Sequence, residues 1–525
     1  MARLGIDYGT THTVVVGSDR GRFPVVPYLA ETAIGTVARE VFPSLAVYDR
    51  QAQRFVFGAD AERCLARPKN EERYGVILSP KRLVRDYIEG RRVRPELAAG
   101  GIDPAELLGA FARWLQRGVR AAGLFREFEP LEAVITWPAN ANGAQRHLTR
   151  RCFAEAGFEI VDAINEPTAA AIEFADRYAR GNRTQARQLS LTVLIFDLGG
   201  GTFDASLVRI EGPSYRVVDA AGIEQLGGDD FDEVLARRFA AGLKVDFEGL
   251  RPFQRALLLA HARRQKESIS EGAVRSLTAA AEDLGFGSGS CAVPVASYFA
   301  ALRPLVERAV DKLRELADGA RARAAGLADG RADAIYLVGG SSRLPLVPKL
   351  VAERFPGTRL ILSDKPFTAT AMGAAIHSAE GVRLQDLLSR TFGVLRLAEH
   401  GTRECFVPVF PAGTALPPRG GAALRFETDY SPRHNIGHLR YLECAALDAQ
   451  GWPAEGVRPW SDVFFPYDPA IPLEQPLSAE QIVPREDLRD AWVRESYVCS
   501  ADGVITVSIK RWCDGHTRTY EIFKD

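Results

Sequence analysis

The sequence predicts an α/β fold made of a duplicated domain, followed by a smaller all-β domain. Three observations predict it: two similar strand-and-turn segments far apart in the chain, a long alternation of strands and helices, and a change of texture past Ala375. The chain has 525 residues, and a single hydrophobic core stops growing near about 250–300 residues. We therefore expect at least two domains.

The two similar segments are LGIDYGTTHT (Leu4–Thr13) and IFDLGGGTFD (Ile195–Asp204). Each begins as an apolar strand, continues with an Asp and ends in a turn of Gly and Thr. Glycines let backbone N–H groups approach phosphate oxygens, Thr hydroxyls add donors, and an Asp can hold hydrated Mg²⁺. Two such turns can clamp one nucleotide in a central cleft. Neither segment matches GxGxxG or GxxxxGK followed by Ser or Thr, which argues against a Rossmann site or a P-loop.

Strand-like and helical stretches alternate through the first part of the chain, which is the pattern of an α/β domain. The predicted strands are Leu4–Ile6, Thr13–Val16, Ala133–Thr136, Thr192–Phe196, Ala205–Ile210 and Ala334–Val338. The predicted helices are Pro104–Ala122, Ala141–Glu155, Thr168–Ala179, Asp229–Ala241, Pro252–Ser270 and Ser297–Gly319.

Past Ala375 helix formers thin out, and short alternating strands such as Gly503–Ile509 and Thr517–Phe523 indicate an all-β domain. The region Ala449–Pro484 is rich in Pro and aromatic residues and predicts ordered loops that cover a sheet. The predicted domain boundaries are 1–381 for the first domain, 382–390 for a linker and 391–525 for the second domain.

The linker carries Leu384, Leu387 and Leu388 around Asp386, which is too apolar for a plain flexible connection. One interpretation is a last helical turn buried on the first domain. The other is a linker that docks and switches, and its position at the break in composition favours this second interpretation.

The composition excludes some classes of partner. Lys and Arg number 66 and Asp and Glu number 67, so the formal net charge is −1. No global field attracts nucleic acid or anionic lipid, and neither is expected as a partner. The seven Cys residues are widely spaced without a CxxC pair, which is typical of reduced thiols in a cytoplasmic protein rather than of a zinc site. No run approaches the roughly 18 apolar residues of a membrane helix.

Six motifs stand in the order found in the Hsp70 family of DnaK-like chaperones: a first phosphate loop, a Lys, a switch segment, an acidic residue, a second phosphate loop and an adenosine loop. They include SPKRLV, ITWPAN, INEPTAAA and VGGSSRLPLV besides the two segments above. The chain resembles this family well up to about residue 380 and loosely beyond it. The resemblance implies an actin-like ATPase domain that hydrolyses ATP to ADP and phosphate, with Mg²⁺ as cofactor and K⁺ as a further candidate ion.

The resemblance assigns binding roles to the two turns. Asp7 and Asp197 would hold Mg²⁺ through water. The phosphate cradle would be formed by Gly9, Thr10, Thr11, Gly199, Gly200, Gly201 and Thr202. His12 departs from the family pattern, in which Asn or a similar polar residue is usual.

The resemblance also implies catalytic roles, for Lys81, Glu166, Asp197, Thr202, Asp204 and Asp7. Lys81 matches the family Lys that faces the γ-phosphate and the attacking water, where a fixed ammonium stabilises developing charge. On the residues alone, such a Lys is also typical of surface charge. Glu166 and Asp204 would orient water and the metal shell, because positioning matters more than deprotonation in this reaction. Glu166 is also placed to cap the helix that follows it.

Nucleoside contacts are implied for Gly228, Lys266, Ser270, Gly339, Gly340, Ser341 and Arg343. The turn before Arg343 follows an apolar strand and opens a helix, and the guanidinium of Arg343 suits stacking on adenine. Asp229 in LGGDDFD is expected to cap a helix near the cleft. Two positions depart from the family: Arg263 stands where Glu is usual, and Phe367 where Asp is usual.

A coupling role is implied for Pro138, Arg146, Leu384, Asp386, Leu387 and Leu388. Pro138 and Arg146 match a family relay that reports the nucleotide state to the other domain. A Pro between a strand and a helix is also ordinary as a boundary residue.

The segment Val407–Pro418 and the last two predicted strands resemble the family's β-sandwich substrate-binding domain, which holds an extended peptide by main-chain hydrogen bonds. The alternative is a sandwich that only braces the ATPase domain. The family's helical lid is not encoded before Asp525, so weak and fast peptide exchange is expected.

The leading hypothesis is an ATP-dependent chaperone of unfolded or extended polypeptides, working with a J-domain co-chaperone and a nucleotide exchange factor. One alternative is an actin-fold small-molecule kinase, although no acidic base beside a sugar pocket is evident near Lys81. The other is a nucleotide-regulated scaffold or filament ATPase, in which the β-domain and the apolar linker would have no evident purpose.

Overall fold

The computed structural model describes residues 2–32, 35–65, 71–88, 103–179, 190–272, 274–327, 330–380, 382–398, 403–418, 420–473 and 475–522. By its contacts the chain divides into two compact units. The first unit comprises Met1–Asn140 and Leu148–Arg383, and the second comprises Ala141–His147 and Leu384–Asp525.

Helices and strands alternate up to Glu380, and strands dominate thereafter. The α-helices are α1 (Gly58–Leu65), α2 (Pro80–Ile88), α3 (Pro104–Ala121), α4 (Gly143–Glu155), α5 (Glu166–Ala179), α6 (Gly228–Gly242), α7 (Pro252–Glu271), α8 (Val295–Ala317), α9 (Ala320–Ala324), α10 (Leu346–Arg354) and α11 (Ala369–Glu380). The strands up to α11 are β1 (Ala2–Tyr8), β2 (His12–Ser18), β3 (Tyr28–Thr32), β4 (Gly35–Arg39), β5 (Phe42–Pro43), β6 (Ala46–Asp49), β7 (Arg54–Phe57), β8 (Tyr74–Ile77), β9 (Leu131–Trp137), β10 (Glu159–Asn165), β11 (Ser190–Leu198), β12 (Phe203–Glu211), β13 (Ser214–Ile223), β14 (Ser276–Ala280), β15 (Ser290–Pro294), β16 (Ala334–Val338) and β17 (Arg359–Leu362). The later strands are β18 (Arg383–Gln385), β19 (Thr391–Ala398), β20 (Arg403–Phe410), β21 (Leu424–Tyr430), β22 (Ile436–Cys444), β23 (Ala446–Leu447), β24 (Pro453–Glu455), β25 (Arg458–Pro466), β26 (Val493–Cys499), β27 (Ile505–Arg511) and β28 (Thr517–Glu521).

Two sheets of the first unit share one arrangement, which is the duplication that the sequence predicts. The first sheet has the order β10-β9-β1-β2-β5, and five neighbouring strands of the second follow β17-β16-β11-β12-β13. The central strands β1 and β11 each pair in parallel on one side and antiparallel on the other. Asp7 lies opposite Thr136 of β9, and Asp197 lies opposite Val338 of β16. The two Asp residues therefore occupy equivalent places near the carboxyl ends of their central strands.

Helix α11 lies close to both α5 and β1 because glycines, which have no side chain, stand where these elements meet. A Cβ atom on Gly373 of α11 would lie 1.7 Å from the carbonyl oxygen of Ala169 in α5. A Cβ atom on Gly5 of β1 would lie 2.2 Å from the carbonyl oxygen of Ala371. No side chain fits at such distances, so these glycines set the spacing between the first sheet and the two helices.

The second unit is a sandwich of two four-stranded antiparallel sheets, β20-β19-β22-β25 and β21-β26-β27-β28. Buried and partly exposed residues alternate along β26 and β27, as expected of strands with one face on a core. The shared core includes Leu388, Phe392, Tyr441 and Tyr497. The sequence thus predicts the fold class correctly, a duplicated α/β domain followed by an all-β domain.

One local prediction needs correction. The region predicted as covering loops contains β25, which pairs with β22. Its Pro459 and Pro466 stand near the two ends of the strand, where a missing N–H disturbs the ladder least. Residues 383–385 of the predicted linker form the short strand β18, so the less favoured alternative of a last helical turn does not hold there. The last residue of the strand predicted to end at Phe523 lies outside the described residues.

Within the described residues, every helix is too short or too polar to span a membrane.

Candidate nucleotide-binding site

One cleft of the first unit brings together most of the predicted binding residues. The predicted residues that line it are Asp7, Gly9, Thr10, Thr11, Lys81, Glu166, Asp197, Gly199, Gly200, Thr202, Gly228, Lys266, Ser270, Gly339, Gly340 and Ser341. Gly201, Asp204 and Arg343 lie beside residues of this lining. Residues from distant parts of the first unit therefore meet in one place.

The two Gly/Thr turns contact each other across the cleft. The second turn is closed by a hydrogen bond from the Gly199 N–H to the Thr202 carbonyl, at 3.1 Å. A Cβ atom on Gly200 would lie 2.1 Å from the Thr11 hydroxyl oxygen, and one on Gly201 would lie 2.7 Å from the Thr10 hydroxyl oxygen. Glycine is therefore required here for close approach, and it leaves backbone N–H groups and Thr hydroxyls available to phosphate.

Helix α6 begins directly on the second turn. The Gly228 and Asp229 N–H groups donate to the carbonyls of Gly199 and Gly200, at 3.0 and 2.7 Å. The N-terminal end of a helix carries partial positive charge, which favours a phosphate nearby. The prediction that Asp229 caps this helix is wrong: the cap residue is Gly227, and its N–H donates to the Asp230 carboxylate at 2.9 Å.

Lys81 lies within a group of carboxylates at the bottom of the cleft. Its ammonium donates to Glu166 at 2.7 Å. Burial acts to lower the pKa of Lys81, but the charges of Glu166 and Asp7 and the bond to Glu166 outweigh it and raise that pKa. A Lys with 17% of its side chain exposed and such partners is not ordinary surface charge.

The carboxylates repel one another in this buried setting. Burial and the charge of Glu166 raise the pKa of Asp7 and that of Asp204 to about 7. The pKa of Asp197 is raised well above its usual range, by burial and by the charges of Glu166, Asp7 and Asp204. Thr136 donates to Asp7 at 2.9 Å, and the Ala139 N–H donates to Asp204 at 2.9 Å. A cation would offset this repulsion. The described residues contain no cluster of three or more direct metal ligands, so these carboxylates fit Mg²⁺ that keeps its water ligands.

The predicted adenosine loop forms a tight turn at the end of β16. Gly339 has a φ of 80°, a conformation that favours glycine. The Ser341 hydroxyl donates to the Gly199 carbonyl at 2.9 Å and so fixes this turn against the second Gly/Thr turn. Phe367 packs on Gly340, where a Cβ atom would lie 2.4 Å from the ring, and the Arg343 guanidinium lies 5.8 Å from the ring centre. The unusual Phe367 thus accompanies the Arg that the resemblance assigns to adenine.

Arg263 belongs to a chain of ion pairs that sequence reasoning missed. Its guanidinium pairs with Asp229 at 2.7 Å and with Asp232 at 3.0 Å. Lys266 pairs with Asp232 at 2.7 Å and donates to the Gly228 carbonyl at 2.8 Å. Arg82 pairs with Asp230 at 3.0 Å. The signal available in the sequence was three acidic residues in LGGDDFD and two basic residues three positions apart on one helix, which predict charge pairing but not the partners.

The predicted coupling residues lie outside this cleft. Pro138 follows β9 directly, as a boundary residue would. Arg146 is buried, donates to the carbonyls of Ala141 and Asp502 at 3.1 and 3.4 Å, and has a pKa lowered by burial.

The linker residues bond to a turn of the second unit. The Asp386 carbonyl accepts from the Leu416 N–H at 2.8 Å, and the Leu388 N–H donates to the Thr414 carbonyl at 2.9 Å. Leu388 is buried in the core of the second unit, whereas Leu384 and Leu387 are half-buried.

Comparisons with known proteins agree on one family. The family model described as "Hsp70 protein" matches residues 121–395. The chain is 31% identical over 393 residues to the chaperone protein HscA homolog of Variovorax paradoxus, which covers 71% of this chain and 57% of that protein. It is 30% identical over 448 residues to a ribosome-associated molecular chaperone of Eremothecium gossypii, which covers 79% of this chain and 68% of that protein.

The HscA homolog of Bordetella petrii gives a similar figure, 31% identity over 390 residues, 71% of this chain and 57% of that protein. The chain thus spans little more than half the length of these HscA relatives. The duplicated sheets with their paired Gly/Thr turns, the family model and these relatives together show that the chain belongs to the Hsp70 family of chaperones.

Proposed function

We propose that this chain binds and hydrolyses ATP in the cleft of the first unit and uses the nucleotide state to control binding of unfolded or extended polypeptide by the β-sandwich. The observation that carries this proposal is the Lys81–Glu166 pair at 2.7 Å, set among carboxylates beside two Gly/Thr turns. Such an arrangement suits a magnesium triphosphate, whose negative oxygens need donors and whose metal needs carboxylates.

The residues of the cleft would have different roles in ATP hydrolysis. The two turns supply N–H groups and Thr10, Thr11 and Thr202 hydroxyls to the phosphates. Asp7 and Asp197 would hold Mg²⁺ through water, and Mg²⁺ when bound would neutralise phosphate charge. Lys81 places a fixed positive charge where negative charge grows on the transferred oxygens, in a site that needs no reorganisation during the reaction.

Glu166 and Asp204 would position the attacking water rather than remove its proton. The phosphoryl transition state is loose, so orientation contributes more than basicity. Both carboxylates are held, Glu166 by Lys81 and Asp204 by the Ala139 N–H. Fixed acceptors of this kind suit water orientation.

The nucleoside would lie towards Gly339, Ser341, Lys266 and Ser270, with Arg343 next to Phe367 on the base side. Lys266 already bonds to Asp232 and Gly228, so its position is fixed before a ribose arrives. Arg263 has its own carboxylate partners and would shape this wall without replacing the acceptor that a Glu would offer.

Coupling to the sandwich would pass through Pro138 and Arg146 and the linker residues Leu384, Asp386, Leu387 and Leu388. The hydrogen bonds of Asp386 and Leu388 to the 414–416 turn support a linker that is part of the second unit. A J-domain co-chaperone and a nucleotide exchange factor are the partners that this cycle would need.

Single-turnover ATP hydrolysis tests the proposal. We expect Lys81→Ala to slow hydrolysis by about 100-fold or more, the size typical of losing one electrostatic donor at a developing charge. Lys349→Ala is the matched control, because Lys349 is exposed on α10, and it should leave the rate unchanged.

The rate of ATP turnover should rise when an unfolded peptide is added. Turnover that rises only with a sugar would contradict the chaperone proposal and support the kinase alternative.

A further inference from the structure

The sandwich contains a cavity of about 340 Å³ that is separate from the nucleotide cleft. Both sheets contribute to it, with Arg396 from β19 and Glu495 from β26. Its apolar wall is formed by Ile436, Leu439 and Ile482. The volume and the mixed lining are those of a ligand site for a side chain or a short peptide segment.

The carboxylate of Glu495 is fully occupied by protein donors. Its residue is 0% exposed, and it accepts from the Arg396 guanidinium and from the Tyr430 and Tyr497 hydroxyls. The Tyr467 hydroxyl lies 2.6 Å from that of Tyr430 and extends the network. The negative charge of Glu495 is therefore neutralised within the protein and offers nothing to a cationic ligand.

In contrast to this carboxylate, some guanidinium N–H groups of the lining have no hydrogen-bond acceptor among the described residues. Arg433 lines the cavity with 29% of its side chain exposed, and the Nη1 of its guanidinium is buried without a hydrogen bond to any described residue. Its paired carboxylate, Glu486, is 3.7 Å away, which is too far for a hydrogen bond. The Nε of Arg396 also lacks an acceptor among the residues described. Two guanidinium donors without acceptors beside one apolar wall are complemented by an anionic oxygen.

We propose that this cavity takes a carboxylate carried on an apolar peptide segment, either an acidic side chain or a free chain terminus. This inference rests on the proposed client binding and names its chemistry. The carboxylate would pair with Arg433, whose planar donors suit bidentate recognition, while neighbouring apolar groups lie on Ile436, Leu439 and Ile482. His434 and His438 lie in the same lining and add no negative charge.

The test measures affinities of the 525-residue chain, with ADP present, for labelled heptapeptides with apolar flanks. Three peptides are acetylated and amidated and differ only in a central Glu, Gln or Lys, and a fourth has central Gln and a free carboxyl terminus. We expect the Glu peptide or the free-terminus peptide to bind roughly tenfold or more tightly than the blocked Gln peptide, since charge-assisted hydrogen bonds contribute that much. Whichever of the two binds tightly identifies the source of the carboxylate.

Arg433→Gln should bring the affinities for the Glu and Gln peptides together without weakening the Gln peptide. The control Arg494→Gln removes a guanidinium that pairs with Asp429 and does not line the cavity, and it should keep the preference. If Arg433→Gln does not fold, rising salt should weaken the carboxylate peptide alone on the unchanged protein. Equal affinities of all four peptides would overturn the carboxylate inference, whereas no binding of any peptide would overturn the proposed client binding itself.

Discussion

At the scale of single residues, Arg263 departs from the family pattern that the sequence resembles, and the structure shows what it does instead: it pairs with two buried carboxylates. Its partners Asp229 and Asp232 have side chains only 11% and 2% exposed, so their charges depend on nearby cations. A Glu at this position would add a third buried carboxylate to the pair. Arg instead of Glu at this position therefore completes an internal ion-pair network.

This exchange predicts that Arg263→Glu destabilises the first unit. We expect the free energy of unfolding to fall by about 3–5 kcal/mol, because the change removes one cation that pairs with two buried carboxylates and adds a third negative charge beside them. Thermal unfolding followed by calorimetry measures it. Arg264→Glu is the control, because the side chain of this neighbouring residue is exposed, and it should change stability by no more than about 0.5 kcal/mol. Similar midpoints for the two variants would contradict the role of the network.

His12 gives a pH-dependent prediction. Burial, followed by the charges of Arg263, Lys266 and Arg39, lowers the pKa of His12 to about 4. The unfolded chain then binds the proton more tightly, near the ordinary His pKa of about 6.5. The stabilisation from a neutral His12 is therefore complete above about pH 6.5 and is lost as pH falls towards about 4.

His12→Asn should remove this component, with about 2–3 kcal/mol less loss of stability between about pH 6.5 and 4 than the unchanged chain shows. Unfolding midpoints across that pH range measure the difference. Replacing His261 by Asn provides the matched control, because its ring bonds to the Thr278 carbonyl at an exposed site. Parallel pH curves for the unchanged chain and His12→Asn would show that His12 is not the group responsible.

A site residue could be predicted where its motif lies within a short run of sequence, but not where its role depends on a contact between distant segments. The Gly/Thr turns and Lys81 could be found because short runs of sequence contain their motifs. The ion pairs of Arg263 could not, because they join segments about 30 positions apart through side-chain directions that only the packed helices α6 and α7 fix. Phe367 was seen as a departure, yet its contact with Gly340 required the structure.

At the scale of elements, periodic segments were predicted best. The helix predicted at Pro252–Ser270 is α7, at Pro252–Glu271, and the strand predicted at Ala334–Val338 has the same bounds in the structure. Strand β25 was missed because prolines at its ends and adjacent aromatics resemble a loop in composition. Its identity as a strand depends on pairing with β22, which is a tertiary property.

The contact between α5 and α11 gives a prediction at this scale. Gly373→Ala should destabilise the first unit by about 1–3 kcal/mol or more, because the added methyl group would lie on the Ala169 carbonyl and force the helices apart. Gly109→Ala is the matched control. Gly109 is inside α3, and its added methyl would meet only the flexible end of Arg113 at 3.3 Å. That variant should be neutral or gain up to about 1 kcal/mol from helix propensity.

Denaturant unfolding of both variants measures the two effects. A Gly373→Ala chain as stable as its Gly109→Ala counterpart would show that α11 can move without cost, contrary to the close contact.

At the scale of the whole molecule, the chain has two compact units with separate cores, and the proposed function requires that a ligand of one affects the other. A nucleotide that binds only the folded first unit stabilises it by about 2.7 kcal/mol at 100 times its dissociation constant. Uncoupled units would leave the unfolding of the sandwich unchanged. The proposed coupling instead predicts that MgADP and MgATP shift the sandwich transition by different amounts.

Calorimetry separates these cases, and the transition that Leu388→Ala lowers is assigned to the sandwich. We expect MgADP to raise the unfolding midpoint of the first unit and to change that of the sandwich.

Leu388→Ala should lower the unfolding midpoint of the sandwich, because it removes a buried side chain from the core at a cost of about 2–5 kcal/mol. Asp386→Asn is the more informative variant, because the backbone bonds of the linker can remain while the charge is lost. If Asp386→Asn keeps both midpoints but abolishes the nucleotide-dependent shift of the sandwich midpoint, the linker transmits the signal. If nucleotide does not shift the sandwich midpoint of the unchanged chain, the coupling proposal is wrong.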